Sequence, residues 1–376
     1  MGSPQRICLL VLMVFIVALE SCAVKTPRPG IPDVDTRIRF YSNKVSQHPR
    51  LHQAYALLAV AYLDKARETF DPAFLTKAAV NLEHSLKIQP NFLAFKTMTA
   101  LSNFRHRFDQ ALGWGKRAKE ASPNDTSVTA LLVEAYMGLG QYEEAAKLLP
   151  SPGSKPGDFY EATSLGQWLA SQLRYNEAVD AYLEAASFAD TEGVTELVVW
   201  AEIRAAGAFI DWGHPGLAQP HLENAKSLNC NNRVIRRELE QHWAELDEAE
   251  GRLEDALDRY ELLLEEQNLA DIRHKAFLLG RWLHKGPHAQ GHFIAAEEGF
   301  KMAIDAGEVY TLGSLARLYA DADVNLERAL SLAQENMKFK RDIEAEATLH
   351  YIRSKLWFPK SPRRQSGIYD SEVGKQ

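Results

Sequence analysis

Residues Leu131 to Leu149, LLVEAYMGLGQYEEAAKLL, hold two apolar periodicities separated by a glycine. Leu132, Val133 and Tyr136 fall at helical spacing, Gly140 interrupts the run, and Tyr142, Ala145 and Leu149 resume it. The pattern predicts two helices joined by a tight turn. Each helix has one apolar stripe that it cannot bury alone, so the pair must pack face to face and against neighbours. The same arrangement returns along the chain. Leu58, Ala59 and Tyr62 precede Ala78, Leu82 and Pro90, and Phe95, Met98 and Thr99 precede Phe108, Ala111, Ala118 and Pro123. Later come Leu165, Gly166, Leu169, Tyr175, Ala178 and Tyr182; Ala205, Ala206, Phe209, Gly213, Ala218 and Leu222; and Trp243, Ala244, Gly251, Leu253, Ala256 and Tyr260. The last two units carry Leu279, Gly280, Phe293, Ala296 and Phe300, then Leu315, Ala316, Tyr319, Leu326 and Ala329.

In register, these small and aromatic positions resemble the tetratricopeptide repeat, whose two helices touch where such residues stand. The resemblance spans roughly residues 34–356. It implies an all-α, right-handed superhelix of about eight hairpins plus capping helices. Ile38, Tyr41 and Val45, closed by Pro49, read as the helix that covers the amino-terminal end, and Glu344 to Leu356 as the helix that covers the other. Three interior segments stand out. PSPGSKPG (150–157) reads as a surface loop or as a hinge between two halves of the superhelix. Pro220 is expected in the first turn of its helix, where a proline costs little. The KGPHAQG insertion (285–291) is expected to be a loop, since Gly286, Pro287 and Gly291 oppose a helix.

Met1 to Arg6 gives a short positive start through Arg6, and the apolar run Ile7 to Leu19 that follows is too short to span a bilayer comfortably and reads as the core of a signal peptide. Leu19, Glu20, Ser21 and Cys22 resemble the lipobox of bacterial lipoproteins, although Glu20 departs from the small or apolar residue usual there. The resemblance implies a signal peptide over 1–21, lipidation of Cys22, and an outer-membrane lipoprotein facing the periplasm. Cleavage after Ala23 into a soluble periplasmic or secreted protein is the alternative, and a retained anchor a third. Residues 22–33, with KTPRPGIP, read as a tether, and 357–376 as a disordered basic tail. Cys230 alone of three cysteines lies in the repeat region, so no internal disulfide framework is available.

A net charge of −7 without a clustered basic surface argues against nucleic acid as a partner. HExxH, a phosphate-binding glycine loop and a nucleophile elbow are all missing, so the chain reads as a non-enzyme with no cofactor and no metal. His284, His288 and His292 have the spacing of metal ligands, but on an expected loop that spacing loses its geometric meaning. The acidic run from Glu238 to Glu266 reads first as a solvated outer face.

In the family resembled, ligands lie along the concave wall formed by the first helix of each unit. Carried over by register, the exposed inner positions are Tyr160, Gln167, Trp200, Arg204, Gln241, Glu245, Arg281, Tyr310 and Arg317. Aromatic rings and guanidinium forks along a groove suit peptide capture, while packing between repeats is the competing role for Tyr160 and Trp200. The expectation is a protein-interaction scaffold that binds a peptide or helix of an envelope assembly or cell-wall machine, with an accessory or hidden-site enzyme of cell-wall or polysaccharide metabolism as the alternative.

Overall fold

The computed structural model describes residues 33–151 and 154–357, and all its regular elements are helices. The leader with Cys22, the tether up to Pro32, Pro152 and Gly153 of the 150–157 segment, and the tail from Phe358 onward lie outside the described residues. No described helix is long and apolar enough to cross a membrane.

Helix α1 (Val34–Gln47) precedes eight hairpins. These are α2 (His52–Thr69) with α3 (Pro72–Ile88), α4 (Phe92–Phe104) with α5 (Phe108–Ala121), α6 (Thr126–Gly138) with α7 (Tyr142–Ala146), and α8 (Phe159–Ser171) with α9 (Tyr175–Thr191). They continue as α10 (Thr195–Trp212) with α11 (Pro215–Ser227), α12 (Arg233–Ala249) with α13 (Leu253–Glu266), α14 (Ala270–Trp282) with α15 (Gly286–Asp305), and α16 (Leu312–Ala322) with α17 (Leu326–Asn336). Helix α18 (Ile343–Trp357) closes the array. Side-chain caps set several starts: Asp33, Asp71, Asn91, Asp125, Asp158 and Asn232 each accept a hydrogen bond from an orphan amide of the first turn. Gly213 ends α10 in the left-handed conformation, at φ 83°. Arg37–Asp64 and Lys65–Asp35 ion pairs fasten α1 to α2.

Three local expectations are corrected. The second helix of the Leu131–Leu149 unit stops at Ala146, and Leu148 and Leu149 donate to carbonyls three residues back instead. Pro150 disfavours helical dihedrals at Leu149, which accounts for the early stop. Helix α11 begins at Pro215, so Pro220 lies inside it rather than in its first turn. The KGPHAQG segment is not a loop: α15 starts at Gly286 and runs through His288 and His292. Pro287 stands where a helix has no amide to satisfy, so it starts the helix rather than breaking it.

The small residues of the register let helix axes approach closely. Ala56, Ala59, Leu63, Ala94, Leu101, Leu131, Phe159, Ala162, Leu197, Trp200 and Ala201 form one buried cluster, with Tyr160, Phe104 and Tyr310 packed at its margin. First helices of five consecutive hairpins therefore share one core.

Contacts between distant hairpins follow a rule. The turn inside the first hairpin meets the sixth: Arg237 donates to the carbonyls of Glu68 (3.0 Å) and Arg67 (2.8 Å), and Gln267 donates to that of Thr69. The turn of the second meets the connection between the seventh and eighth. There Arg105 pairs with buried Glu308 at 3.0 Å, Arg107 donates to the Gly307 carbonyl at 3.0 Å, and Phe104 meets Tyr310 edge-on. The turn of the third meets the connection to α18, where the Arg341 amide donates to the Gly138 carbonyl at 2.7 Å and the Ile343 amide to the Tyr142 hydroxyl at 3.1 Å. Each of these turns thus docks on the junction five to six hairpins further on, and the superhelix stacks on itself.

Gly140 serves both the turn and this stacking. Its φ is +71°, and a Cβ there would lie 2.5 Å from the Arg341 carbonyl oxygen. Gly213, at φ +83°, has nothing within 4 Å of the same position. Gly213→Ala is therefore expected to cost about 1 kcal/mol of left-handed strain. Gly140→Ala should cost roughly 1–3 kcal/mol more, because backbone must move apart between superhelical turns. Thermal unfolding of the two variants measures the difference, and equal losses would show that the third turn does not dock on the α17–α18 connection.

Candidate partner-binding surface

Four of the nine wall positions are buried rather than exposed, which corrects their assignment as accessible inner residues. Gln167 and Trp200 are 3% and 2% exposed, and Arg204 and Glu245 are 8% and 7%. Trp200 packs on Phe159 inside the shared core, and the Arg204 guanidinium lies 5.3 Å from its ring while pairing with Glu238. Glu245 accepts from Lys275 and from Gln241, the latter at 3.0 Å. Burial alone would raise the Glu245 carboxyl, but Lys275, His242 and Gln241 together hold it down to about 2. Tyr160 and Tyr310 are half-buried at the core margin, and burial pushes the Tyr160 phenol up to about 12.

The acidic run is only partly a solvated face. Asp247, 3% exposed, accepts from Arg252 and Arg259, and Glu248 accepts from the Tyr260 hydroxyl at 2.7 Å. Glu254, Asp255, Asp258 and Glu265 are exposed as expected.

Arg281 and Arg317 remain at the surface, and the fold brings them together. Both are tied to Asp321: Arg281 donates to its carbonyl, and Arg317 Nε lies 3.0 Å from its carboxylate. His274 Nε2 is 3.1 Å from the same carboxylate. Burial opposes ionisation of Asp321, yet His274 and Arg317 hold its carboxyl below the usual range. Tyr351 of α18 lies under the Arg317 guanidinium at 4.4 Å, with Lys355 Nζ at 5.0 Å. Arg317 and His274 share the Asp321 carboxylate, Lys355 pairs with Asp323, and Arg281 is held by a backbone carbonyl instead of a carboxylate.

This patch sits on the edge that the stacking rule leaves uncovered. The turns inside the last five hairpins have no described junction further on to dock against. Four of them carry a large apolar side chain at the surface: Leu173 is 60% exposed, Trp212 40%, Trp282 75% and Val324 38%. Sequence reasoning missed these residues because each looks like the end of a buried stripe; only the stacking of the turns shows which ends stay open. Trp357, read from the sequence as the start of the tail, is instead the last residue of α18 and is 72% exposed, and Phe358 lies outside the described residues.

The arrangement defines an all-α solenoid of tetratricopeptide-like hairpins. The chain is similar in fold to a tetratricopeptide repeat protein from Parabacteroides merdae, at 11% identity over 65% of this chain and 91% of that one, with a TM-score of 0.47. It is also similar to Pseudomonas aeruginosa pilF, at 16% identity over 68% and 95% of the two chains, TM-score 0.34. A third similar structure is a human IFIT1 dimer with PPP-AAAA, at 14% identity over 87% and 78%, TM-score 0.44. No family model matches the sequence, and no curated protein matches it.

Proposed function

We propose that the chain is a non-catalytic scaffold, exported and anchored through a lipidated Cys22, that binds a protein of the cell envelope. The observation that supports this best is the uncovered edge: Trp282 projects into solvent beside Arg281 and the Arg317–Asp321 cluster. A large rigid ring next to forked donors is what recognition of a peptide or helix bearing a carboxylate requires. A preformed solenoid also avoids most of the ordering cost on its own side. Helical hairpins account for nearly all the described residues.

Crosslinking from intact envelopes tests the reading. Trp282→Ala combined with Arg281→Ala is expected to reduce partner capture by roughly tenfold or more, with helicity unchanged because both side chains are exposed. Cys22→Ser should move the protein from the membrane fraction to the soluble one. Undiminished capture by the double variant would remove the edge as the binding surface, and undiminished sedimentation with membranes would remove the lipid anchor.

A further inference from the structure

Helices α13 and α15 are the second helices of the sixth and seventh hairpins, and three potential ligands meet between them. Glu261 Oε1 lies 3.4 Å from His288 Nε2 and 3.8 Å from His292 Nε2, and one ligand atom from each residue falls within 4.8 Å of the others. The two imidazoles stand four apart on one helix, with ring centroids 4.6 Å apart. That is the helical spacing whose meaning an expected loop had removed.

We propose that Glu261, His288 and His292 bind a divalent transition-metal ion, with zinc(II) the best fit, and that the ion ties α13 to α15. Tetrahedral zinc with bonds of about 2.0–2.2 Å holds its ligand atoms about 3.3–3.6 Å apart, so the two carboxylate–imidazole separations of 3.4 and 3.8 Å nearly fit and the two imidazole nitrogens must close together on binding. Two nitrogens and one oxygen suit zinc and its neighbours rather than calcium or magnesium, which prefer all-oxygen shells. His292 adds an independent sign. Its side chain is 4% exposed, and its Nε2 has no hydrogen-bond partner among the described residues while facing Glu261. His288 is 49% exposed and Glu261 36%, which leaves an entry path and room for a fourth ligand from water or a bound partner.

Arg273 makes the proposal specific. Its Nη1 lies 3.1 Å from His292 Nδ1, and a guanidinium can only donate, so Nδ1 accepts and Nε2 carries the ring proton. Metal binding through Nε2 requires that proton to move to Nδ1, and Arg273 must then turn away. Its Nε already donates to Asn268 at 2.9 Å, which gives the side chain a second attachment. Arg273 therefore opposes loading both by its charge and by fixing the wrong tautomer.

The full chain, stripped with a chelator, is titrated with zinc(II) in a calorimeter and with cobalt(II) by visible absorption. One equivalent is expected to bind. His288→Ala and Glu261→Gln should each weaken binding by roughly tenfold or more, and Arg273→Met should tighten it. His288 is exposed and Glu261 half-buried, and circular dichroism is expected to show unchanged helicity in both variants. Absence of stoichiometric uptake by the unaltered chain, or equal affinity in His288→Ala and Glu261→Gln, overturns the site; unchanged or weaker binding in Arg273→Met overturns the tautomer argument on which its geometry rests.

Discussion

Arg204→Ala is expected to lower the free energy of unfolding by about 3–5 kcal/mol, because it leaves the Glu238 carboxylate without its cation in a poorly solvated site. The Arg204 and Glu238 side chains are only 8% and 11% exposed. The guanidinium also covers Trp200 at 5.3 Å, so truncation removes packing as well as charge. The double variant Arg204→Met with Glu238→Leu should recover most of the loss, since two apolar residues of similar volume need no solvation. Chemical denaturation of the two single variants and the double variant supplies the cycle. A residue that served only to hold a partner would instead leave stability unmoved and change capture alone, and that result would falsify the structural role given to it here.

Arg204 also shows how far the sequence could be read. The repeat register fixes which helix a residue stands on and which face it shares with its neighbours, and it located the eight hairpins and both capping helices. It does not show how tightly the superhelix winds. In an open winding the first-helix positions Gln167, Trp200, Arg204 and Glu245 would line an accessible wall. In this molecule five consecutive first helices converge on one core, so Gln167, Trp200 and Arg204 are interior, while Glu245, on the first helix of the sixth hairpin, is buried against His242 and Lys275. That winding is set by contacts between residues about 200 apart, such as Arg107 with Gly307 and Tyr142 with Ile343, and no local pattern encodes them. Arg281 and Arg317 stay accessible because they belong to later hairpins, whose turns meet no further described junction. The histidine cluster was hidden for a different reason. Proline and glycine argue against a helix in its interior but not at its first positions, and only the placement of the α15 start at Gly286 decides between the two.

Within the stretch that first revealed the fold, Glu134 looks like the polar face of an amphipathic helix, yet it is 8% exposed. Burial pushes its carboxyl up to about 8, and the hydrogen bond from Asn103 Nδ2 at 2.9 Å and the charge of Arg67 offset this only in part. The folded value lies above the ordinary 4.5, so the folded state holds this proton more tightly than the unfolded chain does. Its stabilising contribution is complete below pH 4.5, fades as pH rises, and is gone above about 8. At about 1.4 kcal/mol per pKa unit the change amounts to several kcal/mol. Buried His242 works in the opposite sense: burial lowers it to about 4, so its contribution is present above the ordinary 6.5 and is lost as pH falls through 4. The unaltered protein is therefore expected to be most stable in mildly acidic solution and to lose stability between pH 6 and 8. Glu134→Gln keeps the shape and the acceptor for Asn103 but cannot ionise, so it should remove that decline and exceed the parent in stability at pH 8. Subtracting the two unfolding curves at each pH cancels the histidine contributions. A difference that stays constant from pH 5 to 8 would mean that Glu134 is ionised in the folded protein, balanced by Arg67 rather than kept neutral by burial.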